Sequence, residues 1–546
     1  MKTDVLIVGG GLAGLVAAHR LVERGRKVIL LDQEGPQSLG GQAWWSLGGL
    51  FMIDTPEQRR RGIRDSLELA RADWMGSAQF DRPEDEHPRA CAEAYLQFAA
   101  GEMRGWLKAI GLRWFPVIGW AERGGSAASG HGNSVPRFHI TWGTGTGVVR
   151  PFADLAQKAE QAGQLDFAFR HRVTDLIVEN GTVVGARGQV LEPSDAERGE
   201  STSRTVTGDF ELRAESVILA SGGIGGNHDL VRKHWPEDRL GKPPKKMVSG
   251  VPDYVDGSMH GVAEASGAAL INTDRMWHYC EGITNWSPIW PNHGIRILPG
   301  PSSLWFDALG ERMEPPCLPG FDTLGTLRRI LATGHEHSWF VLTQKIIEKE
   351  FALSGSEQNP DLTSGKWSSV LKERRGKGAT RAVEAFKEYG EDFVVADHLE
   401  DLVAGMNRIT PETPLSLESL RAKIEARDAQ LGNEFSKDAQ ITAIRGARNY
   451  RGDRLIRTAK PHAILDPKNG PLIAVRLNIL TRKSLGGVHA NLKGEVLRPD
   501  GEVFPGLFAA GEVSGFGGGG YHGYNALEGT FLGGCIFSGR QAGDHS

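Results

Sequence analysis

The stretch from Asp4 to Asp32 constrains this chain more than any other. Val5 to Val8 is an apolar run short enough for a buried parallel strand, and Gly9-x-Gly11-x-x-Gly14 follows at once. The spacing predicts an amphipathic helix from about Leu12 to Arg24, then a second buried strand, Val28 to Leu31, ending on Asp32. Gly9 permits the tight turn, Gly11 lets the backbone approach a pyrophosphate, and Gly14 allows helix and strand to pack closely. The N–H groups of Leu12, Ala13 and Gly14 then face the phosphates at the positive end of the helix dipole. Asp32 and the adjoining Gln33 stand where ribose hydroxyls would lie. A lone Gly-x-Gly-x-x-Gly is weak evidence; both strands, the helix and the terminal acid together predict a dinucleotide site.

Glycine makes up 72 of 546 residues, nearly twice the ordinary share of about 7%. It gathers in turns at 9–14, 40–49, 143–147, 222–226 and 515–520, as expected where backbone approaches a ligand repeatedly. No second strand–glycine–helix unit with a terminal acid occurs, so one dinucleotide is expected and no separate nicotinamide domain. Cys91, Cys280, Cys317 and Cys535 lack any metal-ligand spacing, so no metal site is expected. The net charge of −4 gives no reason to expect nucleic acid or an anionic membrane as partner. With no run of about 18 to 20 apolar residues and no basic leader before the first strand, the expectation is a cytoplasmic protein without a membrane span.

Farther along, 150–163 reads as a helix. Phe167–Phe169 and Val173–Val178 read as strands, with a turn at Asn180-Gly181 before Val183-Val184. Ser216–Ala220 is a buried strand running into Ser221-Gly222-Gly223. From about 274 the character changes: Trp277, Trp286, Trp290, Trp305 and Trp339 precede a charged, helical stretch at 365–440, with Leu417, Leu420, Ile424 and Leu431 on one face. The α/β pattern returns at 503–511, and a terminal helix is expected from near Asn525. The expected organisation is a flavin-binding domain of 1–273 plus 480–546, with a second domain, 274–479, inserted between.

Five segments together resemble the fumarate reductase and 3-ketosteroid Δ1-dehydrogenase flavoproteins over nearly the whole chain. They are the N-terminal fingerprint; Gly40-Gly41-Gln42-Ala43-Trp44-Trp45-Ser46-Leu47-Gly48-Gly49; Leu219–Gly223; Asp256-Gly257 with the helix after it; and Gly506–Glu512 with His522-Gly523-Tyr524-Asn525-Ala526-Leu527-Glu528-Gly529. The resemblance implies an α/β fold: a Rossmann-like FAD-binding domain of glutathione-reductase type with an inserted α+β substrate-capping domain. It implies FAD held by Gly9, Gly11, Leu12, Ala13, Gly14, Asp32, Gln33, Gly41, Gln42, Ala43, Gly48, Gly49, Val173, Ala220, Ser221, Gly222, Asp256, Gly511, Glu512, Asn525, Ala526 and Leu527. Membrane-bound relatives that attach FAD covalently have histidine at the place of Gln42, so here the flavin is expected to be non-covalent.

Departures from the family pattern bear on the substrate. Fumarate reductases clamp a dicarboxylate with arginines and histidines. This chain has Ala526 where their arginine follows the asparagine, and Lys483 where a histidine stands. No arginine falls at the proton-delivering position, although Arg328 and Arg329 lie nearby. A dicarboxylate needs charge-assisted partners, so a larger, mostly apolar ketone is expected. The candidate catalytic residues are Tyr524, Tyr521, His278, Tyr279 and Lys483; His522 also falls among the site's polar groups. Dehydrogenation needs a base for the proton α to the carbonyl, a donor for the enolate oxygen, and a hydride acceptor. A tyrosine serves as base only if a cation lowers its ordinary pKa of about 10, and Lys483 is the candidate cation. Electrons then leave to an external acceptor. The alternatives are a fumarate- or acrylate-type reductase, a flavin oxidase or hydroxylase, and a flavin-binding redox sensor. His131 and His139 carry no assignable role, and the acidic run 84–86 reads as a solvated turn.

Overall fold

A computed structural model describes residues 2–120, 132–374, 376 and 378–546; His131 lies outside them. The first strand, Lys2–Val8, sits at the centre of a parallel sheet, with Val28–Asp32 and then Leu165–Phe169 on one side and Val206–Leu219 and then Val503–Ala509 on the other. Where they pair in parallel, the central strands are apolar runs, Val5–Val8, Val28–Leu31 and Val217–Leu219, because helices or loops cover both faces. The helix Leu12–Glu23 and the terminal helix Thr530–His545 pack against each other on one face. Gly14 explains the close fit at the fingerprint: a Cβ there would stand 2.1 Å from the carbonyl oxygen of Gly9.

His171–Glu179, Thr182–Leu191 and Val206–Leu219 form an antiparallel meander that joins the parallel array through the first half of Val206–Leu219, with Asn180 at φ +51° in the first turn. The helix read at 150–163 is longer, Thr144–Gln161. The terminal helix begins at Thr530, not near Asn525, because Gly529 at φ +89° caps it. Residues 525–529 are irregular.

A second sheet orders its strands as Leu304–Asp307, His337–Thr343, Leu472–Ser484, Met276–Thr284 and Gly294–Leu298, ending on Ala352–Leu353. Val248–Ser249 and Phe393–Ala396 also pair with the long strand Leu472–Ser484. This sheet therefore draws on chain from 248 to 484, and its longest strand passes through residue 479 without a break. Phe393–Ala396 interrupts the helical reading of 365–440. Within the helix Leu417–Ala429, Leu420 and Ile424 are buried in the core of this second sheet, while Leu431 lies past the helix end.

The acidic run 84–86 is not wholly solvated. Asp85 is buried and accepts from Arg275 at 2.6 and 2.8 Å, tying the segment before a helix to the turn at 272–275. His139 is also interior: its Nε2 lies 2.8 Å from the Thr55 hydroxyl, and burial lowers its pKa to about 4.

Candidate active site

Two adjoining cavities lie along the C-terminal edge of the parallel sheet. The first, of about 940 Å³, is lined by Gly9, Gly11, Leu12 and Ala13 of the fingerprint, by Asp32 and Gln33, and by Gly41, Gln42 and Ala43. Val173, Ala220, Ser221, Gly222, Asp256, Gly511 and Glu512 complete it. Gly14 is not on its wall and acts by packing. The walls fit a dinucleotide. Gly9, at φ +112°, has no room for a Cβ, which would meet the Ala220 carbonyl oxygen at 2.5 Å. Asp32 is oriented by the N–H groups of Gly10 and Glu34, which donate to its carboxylate at 2.7 and 2.8 Å, and burial raises its pKa to about 6. The Tyr254 hydroxyl, on the same wall, is buried and has no hydrogen-bond partner among the described residues. A ribose, with hydroxyls that both donate and accept, answers this donor and acceptor set.

Gln42, Ala43, Glu512 and Cys535 also line the second cavity, of about 770 Å³, so the two spaces meet there. Glu512 is buried and accepts from Gln42 Nε2 and from the Ser484 N–H at 2.9 Å; burial raises its pKa although these bonds and Lys483 oppose the rise. Gly48 and Gly49 are on this second wall rather than the first. Asn525, Ala526 and Leu527 are on neither: Asn525 turns away to donate to the Ser77 carbonyl oxygen at 2.8 Å. The residues that follow, Glu528 and Gly529, line the second cavity.

The second cavity holds a chain of buried polar groups. Lys483 Nζ donates to the Tyr279 hydroxyl at 2.9 Å, the hydroxyl donates to Glu528 Oε1 at 2.8 Å, and Arg296 Nη1 donates to the same oxygen at 2.6 Å. The Arg296 guanidinium also covers the Tyr279 ring at 3.7 Å, and Lys483 Nζ stands 3.9 Å over the Phe531 ring. Burial lowers Lys483 to about pKa 7 despite the nearby Glu528. Burial pushes Tyr279 well above its ordinary value, and Glu528 pushes it the same way. Burial alone would raise Glu528, but Arg296 and Lys483 together hold it below the usual carboxylate range. The expectation of a tyrosine base with a lowered pKa is thus reversed: Tyr279 keeps its proton, and Lys483 titrates near neutrality.

Of the five candidate catalytic residues, the structure brings Tyr279 and Lys483 together and leaves three elsewhere. Along Met276–Thr284, Trp277 and Tyr279 face the core of the first sheet while Met276 and Cys280 face that of the second, following the two-residue period of a strand. His278 shares the second face. It stacks on Trp235, accepts from the Arg482 N–H at 3.2 Å, and is held by burial near pKa 3. Tyr521 is a core residue whose hydroxyl donates to the Thr530 carbonyl oxygen, with Trp74 and Tyr95 rings 5.2 and 5.6 Å away. Tyr524 is enclosed by Arg82, Arg239 and Arg275, and its hydroxyl accepts from Arg82 at 2.8 Å. His522 is likewise interior, with Nε2 2.8 Å from the Thr530 hydroxyl. Sequence reasoning missed Arg296 and Glu528. Glu528 was in the quoted C-terminal block; Arg296 had no signal beyond a charge in an otherwise apolar strand, Gly-Ile-Arg-Ile-Leu.

A flavin-sized groove, an acid at the end of its second strand and a buried ionisable cluster beside it define an FAD-dependent oxidoreductase. Residues 4–532 match the FAD binding domain family, and the chain belongs to that family. It is 60% identical over 543 residues, all of this chain and 95% of the relative, to a KsdD-like steroid dehydrogenase of Mycobacterium tuberculosis. It is 61% identical over 529 residues, 97% of this chain and 96% of the relative, to one from Mycolicibacterium smegmatis. Its fold matches a 3-ketosteroid Δ1-dehydrogenase from Sterolibacterium denitrificans with a TM-score of 0.68 at 17% identity, over 100% of this chain and 99% of that one. Among the described residues no helix is long and apolar enough to cross a membrane.

Proposed function

We propose that this enzyme dehydrogenates a carbon–carbon bond next to the carbonyl of a steroid-like ring ketone and passes the electrons to an external acceptor. The observation that carries this reading is the buried Lys483–Tyr279–Glu528 chain in a largely apolar cavity that opens directly onto the flavin groove. Gly9, Gly11, Asp32, Gln42 and Glu512 hold FAD without a covalent bond, and bound FAD supplies the acceptor for the hydride leaving the β carbon.

Lys483 is the base. A lysine with pKa near 7 is substantially neutral at working pH and takes the α proton as the hydride leaves, so one proton and one hydride account for the two hydrogens removed. Tyr279 fixes the amine's position, and Glu528, oriented by Arg296, stabilises the ammonium that forms. Arg482 also lines this wall, and positive charge nearby favours the negative charge that develops on the ketone oxygen. The charge of Arg296 is shared between Glu528 and Glu281, 3.7 Å from its Nε, which leaves it a poor clamp for a dicarboxylate and disfavours the fumarate reading.

Anaerobic mixing of the FAD-loaded enzyme with a panel of 3-ketosteroids tests the proposal. Bleaching of the flavin with formation of the ring alkene is the expected result. No bleaching by any ring ketone, or bleaching by succinate instead, would overturn it.

A further inference from the structure

A third space opens beyond the reaction cavity. Leu47, Phe138, Arg296, Leu298 and Glu528 line both, so the two are continuous. The outer chamber, with its mouth included, spans about 1480 Å³, against about 770 Å³ for the reaction cavity measured the same way. Much of its wall is apolar, with Phe115, Ile118, Ile140, Pro299 and Pro301 among the lining residues.

The remaining wall is different in kind. Arg457 is half-buried there and donates to the Leu298 carbonyl oxygen at 2.9 Å. Among the described residues no carboxylate pairs with it. The neighbouring acids are engaged: Asp453 accepts from Trp120 Nε1 at 2.6 Å, and Glu350 accepts from the N–H groups of Ser302 and Ala459 at 2.8 and 2.7 Å. Arg374 stands on the same wall, paired with Asp361 at 3.1 Å through one nitrogen only and partly exposed to solvent. A guanidinium offers five N–H donors, and a cation withdrawn from water without a partner is unfavourable. Arg457 feels the charges of Asp453 and Glu350, but among the described residues its guanidinium bonds only the Leu298 carbonyl oxygen. That leaves N–H donors for a ligand in a chamber that also has apolar walls.

Resting on the dehydrogenase reading above, we infer that the outer chamber receives the side chain of the same substrate, and that this side chain ends in a carboxylate held by Arg457, with Arg374 beside it. The ring ketone lies against Lys483 and the flavin groove. The apolar stem passes between Leu298 and Phe138, and the acid reaches Arg457. Such a ligand matches each part of the continuous space: a ketone for the polar cluster, an apolar body for the aromatic and proline walls, and an anion for the guanidinium that no carboxylate bonds among the described residues.

The test compares three 3-ketosteroids with one ring system: one lacking a side chain, one whose side chain ends in a carboxylate, and the methyl ester of that acid. Saturation of anaerobic flavin bleaching yields an apparent Kd and a limiting rate for each. The acid is expected to bind about tenfold or more tighter than the ester, the gain of a charge-assisted contact, with a similar limiting rate. Arg457→Met is expected to erase the difference between acid and ester, and Val117→Trp, which fills the chamber, to weaken both while sparing the ketone without a side chain. The acid–ester comparison in the unaltered enzyme decides the matter even if a variant folds poorly. Equal saturation by acid and ester, or an acid preference that survives in flavin-loaded Arg457→Met, overturns the inference and leaves the dehydrogenase reading intact. Bleaching by none of the three overturns both.

Discussion

Lys483 and Tyr279 meet across antiparallel strands, Nζ 2.9 Å from the hydroxyl, and the burial they share drives their proton affinities apart. Lysine is charged when protonated and tyrosine when deprotonated, so the same low-polarity surroundings lower one and raise the other. The pair is an amine ready to accept a proton beside a phenol that holds its own.

Lys483→Met is expected to slow anaerobic bleaching by a 3-ketosteroid by about 10²–10⁴-fold, the usual contribution of a positioned base, with the flavin still bound. In the unaltered enzyme the rate should climb through a pKa near 7 as the amine sheds its proton. Stopped-flow measurements across pH check both. A profile without that rising limb would remove Lys483 from the base role.

The same depressed pKa has a consequence for stability. Lys483 titrates near 7 in the folded protein against an ordinary 10.5. Below 7 both folded and unfolded chains carry the proton, and the penalty for burying the charge is complete. Between 7 and 10.5 the unfolded chain binds more protons, so stability rises with pH; above 10.5 the penalty is gone. The Tm advantage of Lys483→Met over the parent should therefore be largest below pH 7 and shrink as pH rises toward 10.5. Thermal melts at several pH values would show it, and an advantage that grows with pH would contradict it.

Precipitation with acid should release all the flavin, since Gln42 offers no histidine nitrogen to the ring. Glu512→Ala removes the buried acceptor of Gln42 and Ser484 and leaves those donors unpaired, a loss of about 1–3 kcal/mol. Titration of the apoprotein with FAD should show the Kd rising by roughly 10- to 100-fold. Flavin retained on the precipitated chain would disprove non-covalent binding.

Two glycine substitutions should act in opposite directions. Gly14→Ala places a methyl group 2.1 Å from the Gly9 carbonyl oxygen and should cost about 1–3 kcal/mol and weaken FAD binding. Gly105, within the helix Met103–Ile110, has nothing within 4 Å of an added Cβ. Gly105→Ala should stabilise by about 0.5–1 kcal/mol. Melting curves of the two variants suffice as the check.

Much of the flavin groove is legible in the linear chain, because its parts are local. A turn that demands glycine, a strand that ends on an acid and a loop of Gly40–Gly49 each announce themselves within about ten residues, and most of the residues named from them line the groove. The catalytic side was harder to read. Tyr521, Tyr524 and His278 carry the right chemistry and stand near the right motifs, but each is turned into a core or an arginine cage. Along the irregular stretch 525–529, Glu528 and Gly529 reach the wall of the second cavity while Asn525, Ala526 and Leu527 line neither space.

The amino-acid order by itself established a parallel α/β sheet, one dinucleotide site and the absence of a histidine to tether the flavin, since each depends on backbone freedom or residue type at neighbouring positions. Only the tertiary structure decided which ionisable groups share a cavity. Tyr279, Arg296, Lys483 and Glu528 come from separate strands and a terminal loop. Their proton affinities arise from the water they lose and the charges they gain on meeting, and neither is written at any one position of the chain.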